Sequence, residues 1–352
     1  MRLWTSLSAL GVLALLVAGV LGAPEPLRFL LAALGLLPLA ALMGEATEAL
    51  AARVGAALGG LLNASFGNAT ELIFAIIALK AGQVEVVKAS ISGSILSNLL
   101  LVLGLSFFIG GLRYKVQRYS AEGARVLATM LTLALIALLL PAVFHLTLAG
   151  YYGAAPELPD RAFSRAVAVV LIAVYLANLA FSFFTHRDLV SPPHAARHAE
   201  MSVTVALFWL LMATLGVVYL SEVLVHTLEA ATGAMGLSPF FVGIVLVPLV
   251  GNAAEHLAAV LFAAQNKMEL SVQIAVGSSL QIALFVAPIL VFFGLDLVFK
   301  NPLELAALFA SVVAVNQVVE DGQSHWLEGA MLLGVYALLA LAFFFTPHAP
   351  LG

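Results

Sequence analysis

The chain has 352 residues, 63% of them hydrophobic and 10% charged, with a formal net charge of -4 and a mean hydropathy of +1.10. That composition excludes an ordinary soluble domain and describes a polytopic membrane protein; with no sustained basic run it also excludes nucleic acid as a partner, because phosphate binding needs clustered Lys and Arg. The absence of cysteine removes disulfides, thiolate catalysis and Cys-ligated zinc, and leaves oxygen and imidazole as the metal ligands.

A spanning helix needs about 20 apolar residues. Segments of that kind are predicted near 4–21, 27–44, 58–79, 89–110, 123–146, 164–185, 203–228, 238–263, 270–293, 302–319 and 327–346. Arg2, the apolar stretch after it and Gly22-Ala23 would also suit a cleavable signal peptide, but residues 1–22 are read as an N-terminal transmembrane helix. Helices two to six make a first repeat over 26–185, a linker occupies 186–200, and helices seven to eleven make a second repeat over 201–346. The fold class expected is an all-α polytopic membrane protein with about eleven transmembrane helices. Connections are short, without room for a soluble domain. Nine of the 15 Lys and Arg residues (Arg2, Arg53, Arg113, Lys115, Arg118, Arg125, Arg187, Arg197 and Lys267) fall on the amino-terminal side, which favours a cytoplasmic N-terminus in the cell membrane.

The chain repeats itself. Gly67-Asn68-Ala69-Thr70-Glu71, in the third segment, returns as Gly251-Asn252-Ala253-Ala254-Glu255 in the eighth, 184 positions later. At the same offset Glu45-Ala46 returns as Glu229-Ala230, Glu85 as Glu269, Gly93-Ser94 as Gly277-Ser278 and Leu96 as Leu280. Five spans separate the two copies, so they cross the membrane in opposite directions. Inverted repeats of this kind are the plan of a secondary transporter, in which two half-sites meet and alternating access follows from two arrangements of the halves.

Each copy of the motif puts a carboxylate where charge is costly. Gly67-Asn68 and Gly251-Asn252 are read as helix breaks, tolerated in a membrane only against protein or a water-lined cavity. Glycine would permit the irregular backbone, and the Asn side chain could ligate an ion or satisfy a freed backbone group. Glu71 and Glu255 each follow by one turn. Two carboxylates with amide, hydroxyl and carbonyl oxygens suit a hard divalent cation such as Ca2+. Like charge and poor hydration would also draw protons to the same oxygens, so cation and protons compete, which is sufficient for exchange. The second element of each repeat adds Ser94, Ser97 and Asn98, and Ser278 and Gln281, on one helical face. Small residues at close helix contacts are the bland reading of those serines.

Weaker candidates for a proton path are Glu45, Glu222 and Glu229. Glu222, His226 and Glu229 are spaced as one helical face, and Glu48 lies near Glu45; the bland reading is a solvated helix end. His256 is expected to face away from Glu255 and to serve packing or hydrogen bonding. The acidic turn of Glu320, Asp321 and Glu328 is either solvated or draws cations to a cavity mouth.

Leu61 to Leu72, Val87 to Asn98, Val247 to His256, Gly277 to Ala283 and the closing Asp321 to Gly329 together resemble the calcium/proton exchanger (CAX) family over nearly the whole chain. The resemblance implies an eleven-helix antiporter in which Glu71 and Glu255 bind Ca2+ and protons in turn, the first helix standing outside two five-helix repeats. Sodium/calcium exchangers share the inverted design but carry Gly-Ser and Pro-Glu or Pro-Asp combinations at the repeats, which makes Na+ the less expected counter-ion. Many members carry an acidic stretch between the halves. Here the linker holds His186, His194 and His198 among mixed charges, as a solvated segment or a sensor of cytoplasmic pH.

The function expected is Ca2+/H+ antiport, with Ca2+ and H+ as substrates, the bilayer as environment and no cofactor. Exchange of Mn2+ or Na+, a cation channel and an intramembrane enzyme are the other readings. A channel fits inverted repeats and a single carboxylate pair poorly, and the chain has no HExxH or GxSxG motif for an enzyme.

Overall fold

The computed structural model describes residues 2–53, 59, 62, 65–152, 157–186 and 201–346. Most of the predicted linker, with His194 and His198, lies outside these residues, as does most of 58–64, where the third segment begins. In chain order the helices are α1 (Arg2–Val20), α2 (Glu25–Ala51), α3 (Ala69–Lys80), α4 (Val84–Leu96), α5 (Leu103–Arg113), α6 (Ala121–Tyr152), α7 (Glu157–Ala180), α8 (Val203–His226), α9 (Leu228–Met235), the short α10 (Pro239–Phe241) and α11 (Val247–Gly251), α12 (Ala253–Ala264), α13 (Met268–Gln281), α14 (Ala287–Phe292), α15 (Pro302–Val319) and α16 (Trp326–Phe345). Two short strands, β1 (Gln117–Arg118) and β2 (Gln323–Ser324), pair antiparallel with Gln117 opposite Ser324.

Local chemistry sets the ends. Ser202 Oγ accepts from Val205 N at 3.4 Å before α8, Ser238 Oγ from Phe241 N at 2.9 Å before α10, and Asn301 Oδ1 from Leu303 N at 3.0 Å before α15, each side chain replacing a carbonyl the first turn lacks. α9 ends on Gly236, whose φ of 65° is left-handed. α2 runs on past the predicted 44 to Ala51, carrying Glu45 and Glu48 on helix: an apolar stretch stops at the charges, but Glu and Ala both favour the helix.

Among the described residues nine helices are long and apolar enough to cross a membrane. They match nine of the predicted segments. The third and eighth, which carry the repeated motif, do not form one long helix among the described residues. α3 has 12 residues after Asn68. The eighth is split at Asn252 into Pro239–Gly251, bent by 108° from α9, and the separate 12-residue α12.

The chain divides into two compact units. Unit 1 draws on Met1–Ser90, Pro193–Ala254 and Ala340–Gly352; unit 2 on Ile91–Pro192 and Glu255–Leu339. Each therefore holds parts of both repeats. In unit 1, α2 packs on α1, α8, α9 and α11, and α3 packs on α8 and α11. Small residues let these helices close: a Cβ on Gly11 would lie 3.1 Å from Gly35 Cα, and one on Gly216 would lie 2.9 Å from Leu39 Cδ1. In unit 2, α6 packs on α7, α13 and α15, α5 on α13, and α14 on α7. Here Asn316 Nδ2 donates to Thr132 Oγ1 at 2.8 Å, His145 Nδ1 pairs with Asp160 Oδ2 at 2.6 Å, and the buried Ser92 hydroxyl donates to the buried Glu304 carboxylate.

Two of the four π-helical segments among the described residues lie at related places. Ser97–Val102 joins α4 to α5, and Ile282–Val286 joins α13 to α14; shifted by the repeat offset they overlap. An extra residue per turn of this kind re-aims the side chains on either side of it and is common at functional sites.

Candidate ion-binding site

The motif breaks its helix at the Asn in both copies. Asn68 has φ -102° and ψ 20°, and Asn252 has φ -92° and ψ 7°, both outside the helical region. Neither motif glycine takes a positive φ, so the expectation that glycine supplies the irregular backbone is corrected: the Asn does so. What Gly251 supplies is room. In unit 1 its missing Cβ position lies 3.7 Å from Glu71 Cγ and 3.7 Å from Glu71 Oε1, so the half-buried carboxylate lies against bare backbone. Asn68 and Asn252 are both almost wholly buried. Glu71 occupies the first turn of α3 and Glu255 the first turn of α12, where the positive end of a helix offsets a carboxylate's charge. The break thus sets each carboxylate at a helix N-terminus, where its charge is offset.

In unit 2, Ser278 Oγ donates to Glu255 Oε2 at 2.6 Å, a charge-assisted distance. Asn98, buried at the start of its π-helical segment, meets His256, with 3.2 Å between Asn98 Oδ1 and His256 Nε2; His256 is a hydrogen-bonding residue, as expected. Ser97 Oγ donates to Ser94 O at 3.2 Å, and Ser94 is buried. Gln281 closes α13, half-buried. The structure therefore joins Glu71 with Gly251, and Glu255 with Ser278. The link between Asn98 and His256 escaped sequence reasoning, since nothing in the spacing of residues 158 apart announces it.

The weaker candidates stand apart. Glu45 is half-buried on α2, while Glu48, Glu222, His226 and Glu229 are exposed. Glu222, His226 and Glu229 do not share one uninterrupted helix, as their spacing implied: α8 ends at His226, Thr227 has φ -94° and ψ 0°, and α9 begins after it. The Thr227 hydroxyl donates to Val223 O at 2.7 Å, competing for the backbone as Thr does near helix ends. Glu229 instead accepts from Gln83 Nε2 at 3.3 Å, a partner the sequence did not indicate. At the acidic turn, Asp321 Oδ1 accepts from Gln323 N and Glu328 Oε2 from His325 N, each at 2.9 Å, so two of its carboxylates cap local backbone. Burial, then Asp321, Glu328 and Glu269, push the nearby Tyr119 phenol above its ordinary value. Among the described residues no three His, Asp or Glu side chains gather as a metal cluster. The candidate donors are accordingly carboxylate, amide and hydroxyl oxygens of the repeated motifs.

An all-α, many-spanned bundle whose two broken segments carry matching carboxylates belongs to the class of polytopic membrane exchangers. The model of the sodium/calcium exchanger protein family matches residues 25–184 and 205–345. A Ca(2+)/H(+) antiporter of Aphanothece halophytica is 49% identical over 92% of this chain and 91% of its own length. The Ca(2+)/H(+) antiporter ChaA of Bacillus subtilis is 42% identical over 97% and 99%. The solved structure of native YfkE superposes with a TM-score of 0.83 at 39% identity, covering 97% of this chain and all of that one. This chain belongs to the calcium/proton exchanger family.

Proposed function

We propose that the protein is a secondary active antiporter exchanging Ca2+ for H+ by alternating access, with Glu71 and Glu255 held by Ca2+ and protons in turn. The observation that carries this reading is the repeated motif with its two environments: Glu71 against the bare backbone of Gly251, and Glu255 accepting from Ser278. The relatives named as Ca2+/H+ antiporters over nearly their full length support the ion pair. Asn68, Asn252, Gly67, Gly251, Ser94, Ser278, Asn98 and Gln281 supply amide, carbonyl and hydroxyl oxygens around the carboxylates, the hard donors that Ca2+ takes. Two protons balance one divalent ion on two carboxylates, so each can displace the other. With the N-terminus cytoplasmic, as the Lys and Arg bias favours, a proton gradient directed inward extrudes Ca2+ from the cytoplasm.

The test is Ca2+ flux into liposomes containing the purified protein under an imposed pH gradient. Wild type is expected to take up Ca2+, and Glu71→Gln or Glu255→Gln to lose at least about 99% of that uptake, the effect of removing a charged ligand worth roughly 3 kcal/mol. Robust uptake in either variant sinks the site assignment. Uptake that follows a Na+ gradient and ignores pH would sink the proton coupling.

A further inference from the structure

We infer that Ser92 and Glu304 are positioning residues for Ca2+ binding. Their bond fixes the back of α4 against α15, and so sets where the front of the same helix presents Ser94 and, one turn on, Asn98. The inference rests on the proposed role of Ser94 and Asn98 as oxygen donors, and it adds two residues that lie outside the repeated motifs.

Glu304 stands in the first turn of α15 and is only 3% exposed. Carboxylates buried in a membrane bundle are rare and mark function by default. This one has no counterpart in the first repeat, where Ser120 occupies the position 184 residues earlier. Glu304 accepts from the hydroxyl of Ser92, which is wholly buried. Other buried serines of these helices turn back on their own backbone: Ser90 Oγ donates to Val87 O at 2.8 Å, Ser279 Oγ to Ala275 O at 3.0 Å and Ser311 Oγ to Leu308 O at 2.8 Å. That local bond is the usual one for Ser within a helix. Ser92 instead reaches a carboxylate on another helix, as Ser278 reaches Glu255.

At 3.6 residues per turn, Ser92 and Ser94 point about 200° apart. The face of α4 that Ser92 ties to α15 is therefore opposite to the face that carries Ser94. Asn98, one turn after Ser94, belongs to that second face, where its Oδ1 lies 3.2 Å from Nε2 of His256, the neighbour of Glu255 in the chain. The π-helical segment that begins at Ser97 packs on both α13 and α15. A carboxylate makes a stronger acceptor for a hydroxyl than a neutral oxygen does, so the anchor resists rotation of α4 about its axis. Such a rotation would carry Ser94 and Asn98 off an ion that needs its oxygens at about 2.3–2.6 Å. The second repeat is anchored otherwise: Val276 stands where Ser92 would, and α13 is held at its start, with Glu269 accepting from Ser120 N.

The test reads the Ca2+ concentration for half-maximal exchange, and the maximal rate beside it, for the full-length protein in liposomes under a fixed pH gradient. Ser92→Ala is expected to raise the Ca2+ requirement about tenfold, as loss of a residue that orients metal ligands does, and to keep the maximal rate within about twofold. It leaves in place the charges of Glu304 and of Lys88, which is buried one turn before Ser92 on α4. Ser92→Cys, close in size and a weaker donor, is expected to fall between. Ser90→Ala, on the same helix but with a hydroxyl bonded to its own turn, should change neither quantity. In a background of Ser94→Ala with Asn98→Ala, adding Ser92→Ala should raise the requirement by less than about twofold, because it acts through those donors. An unchanged requirement in Ser92→Ala overturns the inference. So does an equal effect of Ser90→Ala, or a full tenfold effect in the donor background, either of which loosened packing alone would give. If the donor background itself needs no more Ca2+ than wild type, the reading of Ser94 and Asn98 fails and takes the positioning role with it.

Discussion

Glu71 and Glu255 come from the same repeated word yet are held differently. Glu71 lies against Gly251, where a methyl would fit at ordinary van der Waals distance, 3.7 Å from the carboxylate; Glu255 is held by a hydroxyl at 2.6 Å. This gives a clean variant. Gly251→Ala should fold and keep its thermal unfolding temperature, but the methyl replaces polar surroundings beside Glu71, and the Ca2+ concentration for half-maximal exchange should rise by about tenfold, as for roughly 1.4 kcal/mol of lost binding. An unchanged Ca2+ requirement would mean that the space beside Glu71 is not used. The carboxylates, the amides and the place of the break were legible in the sequence because recurrence at a fixed offset singles out polar residues in apolar surroundings. Gly251's use as space was not legible, since glycine recurs equally well for a left-handed turn, for close packing or for room beside a side chain. The partners Gln83 for Glu229 and Asn98 for His256 were hidden for a different reason, that tertiary contacts leave no periodicity.

The elements divide into those that hydropathy describes and those it does not. Nine long apolar helices were legible because length and composition decide a spanning helix. The break at Thr227 was not, because the spacing of Glu222, His226 and Glu229 is a helical period whether or not the backbone holds it. Nor were the paired π-helical segments, whose residues are as apolar as the turns beside them. Packing between elements depends on small residues. A methyl at Gly329 in α16 would lie 2.6 Å from Gly104 O and still closer to Phe108 N of α5, backbone atoms that cannot step aside. Gly329→Ala should therefore destabilise the protein by roughly 1–3 kcal/mol, read as a lower unfolding temperature in detergent, whereas Gly150→Ala, with open space around its Cβ position, should leave it unchanged. Equal stability of the two variants would contradict the close contact of α5 and α16.

At the scale of the whole molecule, the repeats of the sequence and the compact units of the structure are different partitions. Each unit takes part of both repeats, but not matching parts: the cut in the first repeat falls after Ser90, well past its motif, and the cut in the second falls inside the motif, between Ala254 and Glu255. One unit therefore holds Glu71 with Gly251 and Asn252, the other Glu255 with Ser278, Asn98 and His256. A duplicated chain arranged in this way gives each unit one carboxylate, and the exchange proposed here requires that Ca2+ binding and proton release be one event. The most direct measurement is the release of protons when Ca2+ is added to the purified protein in weakly buffered detergent. The wild type is expected to release about two protons per Ca2+ bound, since the ligands must be deprotonated to hold the metal, and Glu71→Gln and Glu255→Gln to release fewer and to bind Ca2+ weakly. Tight Ca2+ binding by the wild type with no proton release at any pH would contradict the account.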